Sequence, residues 1–148
     1  MKIKQQLLEL CTQCADKRVL GYKNEIELIK ESIENNDKVS NEEDDSGNSK
    51  LLDDLEKNMN YLNDANKMRE QLKLMRPNLV SDSVVLGSLV KTDSITFFIA
   101  LSMGKVIVEG SEYYIISLAS PLGQLLRNRK KDDEFQFNEK RYIIQEVL

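Results

Sequence analysis

The sequence predicts an α+β protein in two parts: an N-terminal antiparallel coiled-coil helical hairpin over residues 1–76, and a C-terminal antiparallel sheet with one short helix over residues 77–148. Two observations carry this. Before Arg76, apolar residues recur at alternating steps of three and four, the repeat of one helix face; after it they fall in short alternating or continuous runs, the repeat of strands. The change of period coincides with Arg76-Pro77-Asn78, where proline disfavours a helical conformation in the residue before it.

The first helix is read from Ile3, Leu7, Cys11, Cys14, Arg18 or Val19, Tyr22, Ile26, Ile29 and Ile33. The second is read from Leu52, Leu55, Met59, Leu62, Ala65, Met68, Leu72 and Met75, and no proline interrupts either stretch. Between them, Asn35 to Ser49 is polar and rich in turn and cap formers, which places the hairpin tip there. Arms of roughly 30 residues at about 1.5 Å per residue reach on the order of 45 Å.

In the second part the strand candidates are Val84 to Leu89, Ile95 to Leu101, Val106 to Val108, Tyr113 to Leu118, Phe135 to Phe137 and Tyr142 to Val147. Ser120-Pro121-Leu122 starts a helix: Ser120 is placed to cap free backbone N–H groups, and Pro121 sits at the first helical position, where its missing N–H costs nothing. Leu122, Leu125 and Leu126 are then expected to face the sheet. Arg127, Arg129, Lys130 and Lys131 follow, where positive charge suits a helix C-terminus.

Composition narrows the chemistry. With 148 residues, 41% hydrophobic and 31% charged, the chain folds without needing disulfides or a structural metal. The absence of histidine removes the usual general base near neutral pH, the commonest zinc ligand, and every Ser-His or Cys-His nucleophile arrangement. A net charge of -4 argues against unaided binding to DNA or an anionic membrane, and the acidity belongs to the first half, so a protein partner is expected. No apolar run approaches the roughly 18 to 20 residues that span a bilayer, and the start lacks the features of a signal peptide; the expected location is cytoplasmic.

Three segments are candidates for chemistry. Cys11-Thr12-Gln13-Cys14 has redox or zinc spacing, but it lacks a second pair or a histidine and lies within a helical stripe, so it reads as two small core residues. Glu42-Glu43-Asp44-Asp45 is either a solvated turn or a set of hard oxygen ligands for magnesium, and without the spacing of a complete site any such ion is shared with a partner. The basic run after Leu126, next to Asp132-Asp133-Glu134, reads first as helix capping and a charged turn.

One combination of motifs resembles a known family. Ile116-Ser117-Leu118-Ala119-Ser120-Pro121-Leu122-Gly123-Gln124-Leu125-Leu126 is similar to the signature of the bacterial Gre (GreA/GreB) transcript-cleavage factors, and Val85-Leu86-Gly87-Ser88-Leu89-Val90 is similar to their entry strand. Asp132-Asp133 falls where that family has Gly-Asp. The resemblance covers nearly the whole chain in architecture, and sharply from about Val84 onward.

The resemblance implies an FKBP-like C-terminal domain and a transcription elongation factor, itself not an enzyme, whose partner is RNA polymerase. It further implies that the globular domain binds at the secondary channel, with Ser120, Pro121, Leu122 and Gly123 assigned to partner binding, and that the hairpin reaches the active site. There the tip acids Asp44 and Asp45, with Glu43 and Glu42 beside them, hold a magnesium ion shared with the polymerase and promote cleavage of backtracked RNA; the chain binds no cofactor alone. Contact with nascent RNA and DNA is indirect, no membrane is involved, and the factor is a monomer. At the tip Asp44, Ser46 and Asn48 match the family pattern, while Gly47 and Lys50 stand at its two glutamate positions.

Three other readings compete. A Gre-like channel binder could regulate or inhibit polymerase without stimulating cleavage. Prolyl isomerisation, suggested by the implied fold, fits poorly with 6% aromatic residues and no Trp. A coiled-coil scaffold would run as a tight dimer in size exclusion, the channel factor as an elongated monomer.

Overall fold

A computed structural model describes Lys2–Val39 and Asp45–Leu148, without the side chains of residues 38, 39 and 45–47. Helices α1 (Lys2–Val39) and α2 (Asp45–Leu74) precede strands β1 (Leu89–Thr92), β2 (Thr96–Ile99), β3 (Gly104–Val108) and β4 (Ser111–Ile116), helix α3 (Pro121–Leu126), and strands β5 (Glu134–Phe137) and β6 (Lys140–Val147). They form two compact units: residues 13–71 are the body of the hairpin, and residues 1–12 join 72–148 in a globular unit.

In the hairpin unit the helices run antiparallel. Three contacts mark the register: Asn36 with Asn48, the Tyr22 and Tyr61 rings at 5.5 Å between centroids, and Asp16 with Arg69 at 3.8 Å. The α1 seam is Ala15, Val19, Ile26 and Ile29, all buried, with Tyr22 and Ile33 half-buried. The α2 seam is Leu51, Leu55, Asn58, Leu62, Ala65 and Arg69, of which Ala65 is fully buried and the rest partly so. These positions keep the alternation of four and three residues that a two-helix seam requires.

This register corrects the sequence reading in two places. Leu52 and Met59 were expected in the seam but are 55% and 54% exposed, because Leu51 and Asn58, one position earlier, keep the heptad step. Asn58 is tolerated there because its Nδ2 donates to the Asp54 carbonyl of its own helix at 2.8 Å. Likewise Ala15, rather than Cys14, takes the buried position on α1. The polar stretch expected as a long tip is also mostly helical, since α1 continues to Val39 and α2 begins at Asp45. Exposed helix positions accept polar side chains; residues 40–44 lie outside the described residues.

The globular unit is one six-stranded sheet in the order β3-β4-β2-β1-β6-β5. All neighbours pair antiparallel except β2 and β4, which run parallel, so the expected antiparallel sheet holds with that one exception. The parallel pair arises because β3 folds back on the outer edge of β4, which leaves the inner edge of β4 to meet β2 in the same direction. Two hairpins close through two-residue turns with both residues left-handed, Glu109-Gly110 and Asn138-Glu139, the geometry that matches strand twist. The run Val84 to Leu89 was expected as a strand, yet only Leu89 belongs to one. Gly87, at a φ of 91°, turns the chain there, and Ser88 Oγ accepts from the Val85 N–H at 3.0 Å.

One face of the sheet carries Val90, Phe97, Ile99, Phe135, Tyr142 and Ile144, closed by Val84 and by Leu126 of α3. The Phe135 and Tyr142 rings stack at 5.0 Å, and Phe97 meets Tyr142 edge-on at 6.3 Å. Leu89, Phe98 and Ile115 alternate with these residues and are buried on the other face. The first turns of α1 belong to this unit: Lys2 and Gln6 reach Glu109, and Lys4 Nζ donates to the Leu79 carbonyl at 3.0 Å.

Lys4 is only 4% exposed, and burial lowers its pKa from the usual 10.5. The unfolded chain therefore binds this proton more tightly than the folded one. Between the lowered folded value and 10.5, the stability contributed by this group rises with pH. We expect the native chain to gain stability relative to Lys4→Met as pH is raised from 7 toward 10.5. Urea unfolding of both proteins across that range checks this, and a difference independent of pH would contradict it.

Candidate functional site

Two regions correspond to the residues singled out from sequence. The first is the end of the hairpin. Glu42, Glu43 and Asp44 lie outside the described residues, and Asp45 is the first residue of α2. Just behind, Asn48 Oδ1 accepts from Asn36 Nδ2 at 3.2 Å, and Asn48 Nδ2 donates to Asp37 Oδ1 at 2.8 Å. One amide thus ties the first turns of α2 to the last turns of α1.

Among the described residues no group of three or more His, Cys, Asp or Glu is placed to hold a metal ion. Carboxylates are the donors magnesium prefers, and it commonly takes one or two from protein while keeping other ligands. By residue type, Glu42, Glu43, Asp44 and Asp45 supply such donors.

The second region is the Ser117–Leu126 segment. Ser120 Oγ accepts from the Gly123 N–H at 3.0 Å and donates to the Ser117 carbonyl at 2.7 Å, and Ser117 Oγ accepts from the Ser120 N–H at 3.2 Å. This is the cap expected from sequence, with Pro121 at the start of α3. Gly123 is buried against the preceding turn: a Cβ there would lie 1.9 Å from the Ser117 carbonyl oxygen. Leu122 packs on the core margin, Leu126 is fully buried, and Leu125 is half-buried. Of the four residues assigned to partner binding, Ser120 and Gly123 hold the turn, Leu122 leans on the core, and Pro121 is exposed.

The basic run begins just past α3. Arg129 Nε donates to the Leu125 carbonyl at 2.6 Å and its Nη1 to the Glu134 carbonyl at 3.0 Å, so this guanidinium satisfies the helix end and ties it to β5. Asp133 Oδ2 accepts from the Lys130 N–H at 2.8 Å. Arg127, Lys130 and Lys131 are exposed. Cys11 is buried and Cys14 half-buried, and neither forms a disulfide.

Sequence reasoning missed Asn36, Asp37 and Asn48 as a group, because it assigned them all to a loop. The signal was present in the spacing: Asn36 falls three residues after Ile33 and Asn48 three before Leu51, continuing both seams. Lys4 was missed because its burial comes from chain 75 residues away.

No protein-family profile matches the chain, and no curated protein matches it. Among solved structures, the chain is similar to the transcription factor Gfh1 over 92% of both chains, at 13% identity and a TM-score of 0.41. It is similar to Gfh1 of Thermus aquaticus at 14% identity and a TM-score of 0.37, over 91% of this chain and 92% of that one. For GreA factor homolog 1 (Gfh1) of Thermus thermophilus the values are 14% and 0.36, over 93% of this chain and 94% of that one. Each is a likeness alone.

Proposed function

We propose that this chain is an accessory factor of RNA polymerase that docks through its globular unit at the secondary channel and offers its hairpin-turn acids to the polymerase active site, stimulating cleavage of backtracked RNA. The observation that carries this reading is the run of acids in the sequence between the two helices. Glu42, Glu43 and Asp44 fall between Val39, the last described residue of α1, and Asp45, the first of α2. The segment Ile116 to Leu126, whose Ser120 and Gly123 build a tight capped turn, supplies the sequence resemblance.

In this reading Asp44 and Asp45 would hold the shared magnesium ion together with the polymerase's own ligands. When bound, such an ion stabilises charge on the attacking and leaving oxygens of phosphodiester cleavage. The chain's own contribution is placement. Acids crowded within a few residues raise the local negative charge that a divalent cation neutralises. The chain needs no catalytic base of its own, which agrees with the absence of histidine.

A second reading, channel binding that regulates polymerase without cleavage, is favoured by Gly47 and Lys50 at the family's glutamate positions. Adding the protein to a backtracked complex of the cognate polymerase with magnesium separates the two. Co-migration with shortening of the RNA is the expected result. Co-migration with intact RNA would transfer the conclusion to the regulator, and no co-migration would remove both.

A further inference from the structure

The Asn48 amide occupies a seam position at the end of the hairpin and spends both of its ends on the opposite helix. Its oxygen accepts from Asn36 Nδ2 at 3.2 Å, and its nitrogen donates to Asp37 Oδ1 at 2.8 Å. Apolar seams are permissive about register, since one Leu–Ile contact is nearly as good as the next. A polar side chain in the seam is selective, because only one register pairs its donor and acceptor, and it achieves this at some cost in stability. The tip end of this seam has such an element, with Asn48 half-buried and its partners Asn36 and Asp37 exposed, and Ile33 and Leu51, the next residues inward, are apolar.

From this geometry we propose that Asn48 is a positioning residue: with Asn36 and Asp37 it fixes the stagger of the last turn of α1 against the first turns of α2, and so sets the points from which the acidic connection departs. The proposal deepens the cleavage reading above and rests on it only for its consequence in activity. The stagger itself belongs to the free protein. The bond to Asp37 has a carboxylate acceptor, which makes it the stronger of the two, and flipping the Asn48 amide would set its oxygen against that carboxylate, two acceptors with no donor between them.

The test uses the full chain with Cys11 and Cys14 replaced by Ser and spin labels at the exposed positions Asn35 and Ser49, read by pulsed electron resonance. The otherwise native chain should give one narrow distance distribution. Asn48→Leu makes the seam apolar; it should leave helix content and the thermal midpoint unchanged or raised, yet broaden or shift that distribution. Asn48→Asp sets a carboxylate against Asp37 and should disturb the distribution as well, and adding Asp37→Asn restores a donor for it and should bring the narrow distribution back. A narrow, unshifted distribution in Asn48→Leu, or no recovery in the double variant, would overturn the proposal.

A cleavage assay then reads the consequence. Asn48→Leu should lower maximal RNA cleavage at least tenfold with the half-saturating protein concentration unchanged. Full cleavage by Asn48→Leu would overturn the link to activity. Should the native chain not cleave at all, the cleavage reading fails by itself, while the distance distributions still decide whether Asn48 sets the stagger.

Discussion

Gly123→Ala is expected to destabilise the globular unit by about 3 kcal/mol, the upper part of the usual range for overpacking. The added methyl would sit 1.9 Å from the Ser117 carbonyl oxygen and 2.9 Å from both the Ser117 carbonyl carbon and the Leu118 Cα, all of them backbone atoms. That carbonyl cannot retreat cheaply, because it accepts from the Ser120 N–H at 3.2 Å and the Ser120 hydroxyl at 2.7 Å. Relieving the clash means opening the cap or lifting α3, and α3 carries Leu126 into the core with no exposure at all. For a unit of this size the loss corresponds to a fall of roughly 15 °C in midpoint. Thermal unfolding followed by the near-ultraviolet dichroism of Tyr113, Tyr114 and Tyr142 measures it. Gly21→Ala is the matched control, since no atom lies within 4 Å of its added methyl and it sits in the interior of α1. There the same substitution should stabilise the hairpin by up to about 1 kcal/mol. Equal effects at the two positions would show that packing against Ser117 is not what requires glycine.

Replacing the turn acids is expected to have the largest effect on activity. If the chain stimulates cleavage as proposed, Asp44→Asn or Asp45→Asn should lower the cleavage rate on the order of 100-fold, the loss typical when one preorganised group facing developing charge is removed. An amide keeps the size and one acceptor oxygen of the carboxylate but gives up its charge, so folding is left as it was. Binding to the polymerase should be retained, because the globular unit is proposed to supply it. Competition between native and substituted protein for the same backtracked complex checks this directly. A substituted protein that displaces the native one but does not cleave supports the division of labour. Unchanged cleavage in Asp44→Asn, Asp45→Asn and the double variant would show that these acids do not act on the reaction.

Much of the fold was legible because the two periods differ so plainly. Steps of three and four mark α1 and α2, and short alternating runs mark β2 to β6. Ser120-Pro121 announced its own helix start because capping is local: the hydroxyl that binds the Gly123 N–H lies three residues away. The acidic group was legible for the same reason, being a property of four adjacent residues. Errors fell where a local pattern admits two solutions. Leu52 and Met59 form as good an apolar line as Leu51 and Asn58 when a single helix is considered, and they end up exposed. The run Val84 to Leu89 has the composition of a strand but contains the Gly87 turn.

By itself the sequence determined the order of two helices before a run of strands, the adjacency of Glu42, Glu43, Asp44 and Asp45, and the absence of histidine-based chemistry. Each of these follows from residues within a few positions of one another. The tertiary structure decided the seam register, the parallel pairing of β2 with β4, the requirement for glycine at 123, the burial of Lys4, and the partners of Asn48. These depend on what lies across a packed interface: Lys4 meets Leu79, and Asn48 meets Asn36 and Asp37 from the other helix. Periodicity tells which side of an element is apolar, but only the opposing surface selects the residue that faces it, because each close-packed contact joins side chains that the sequence sets far apart.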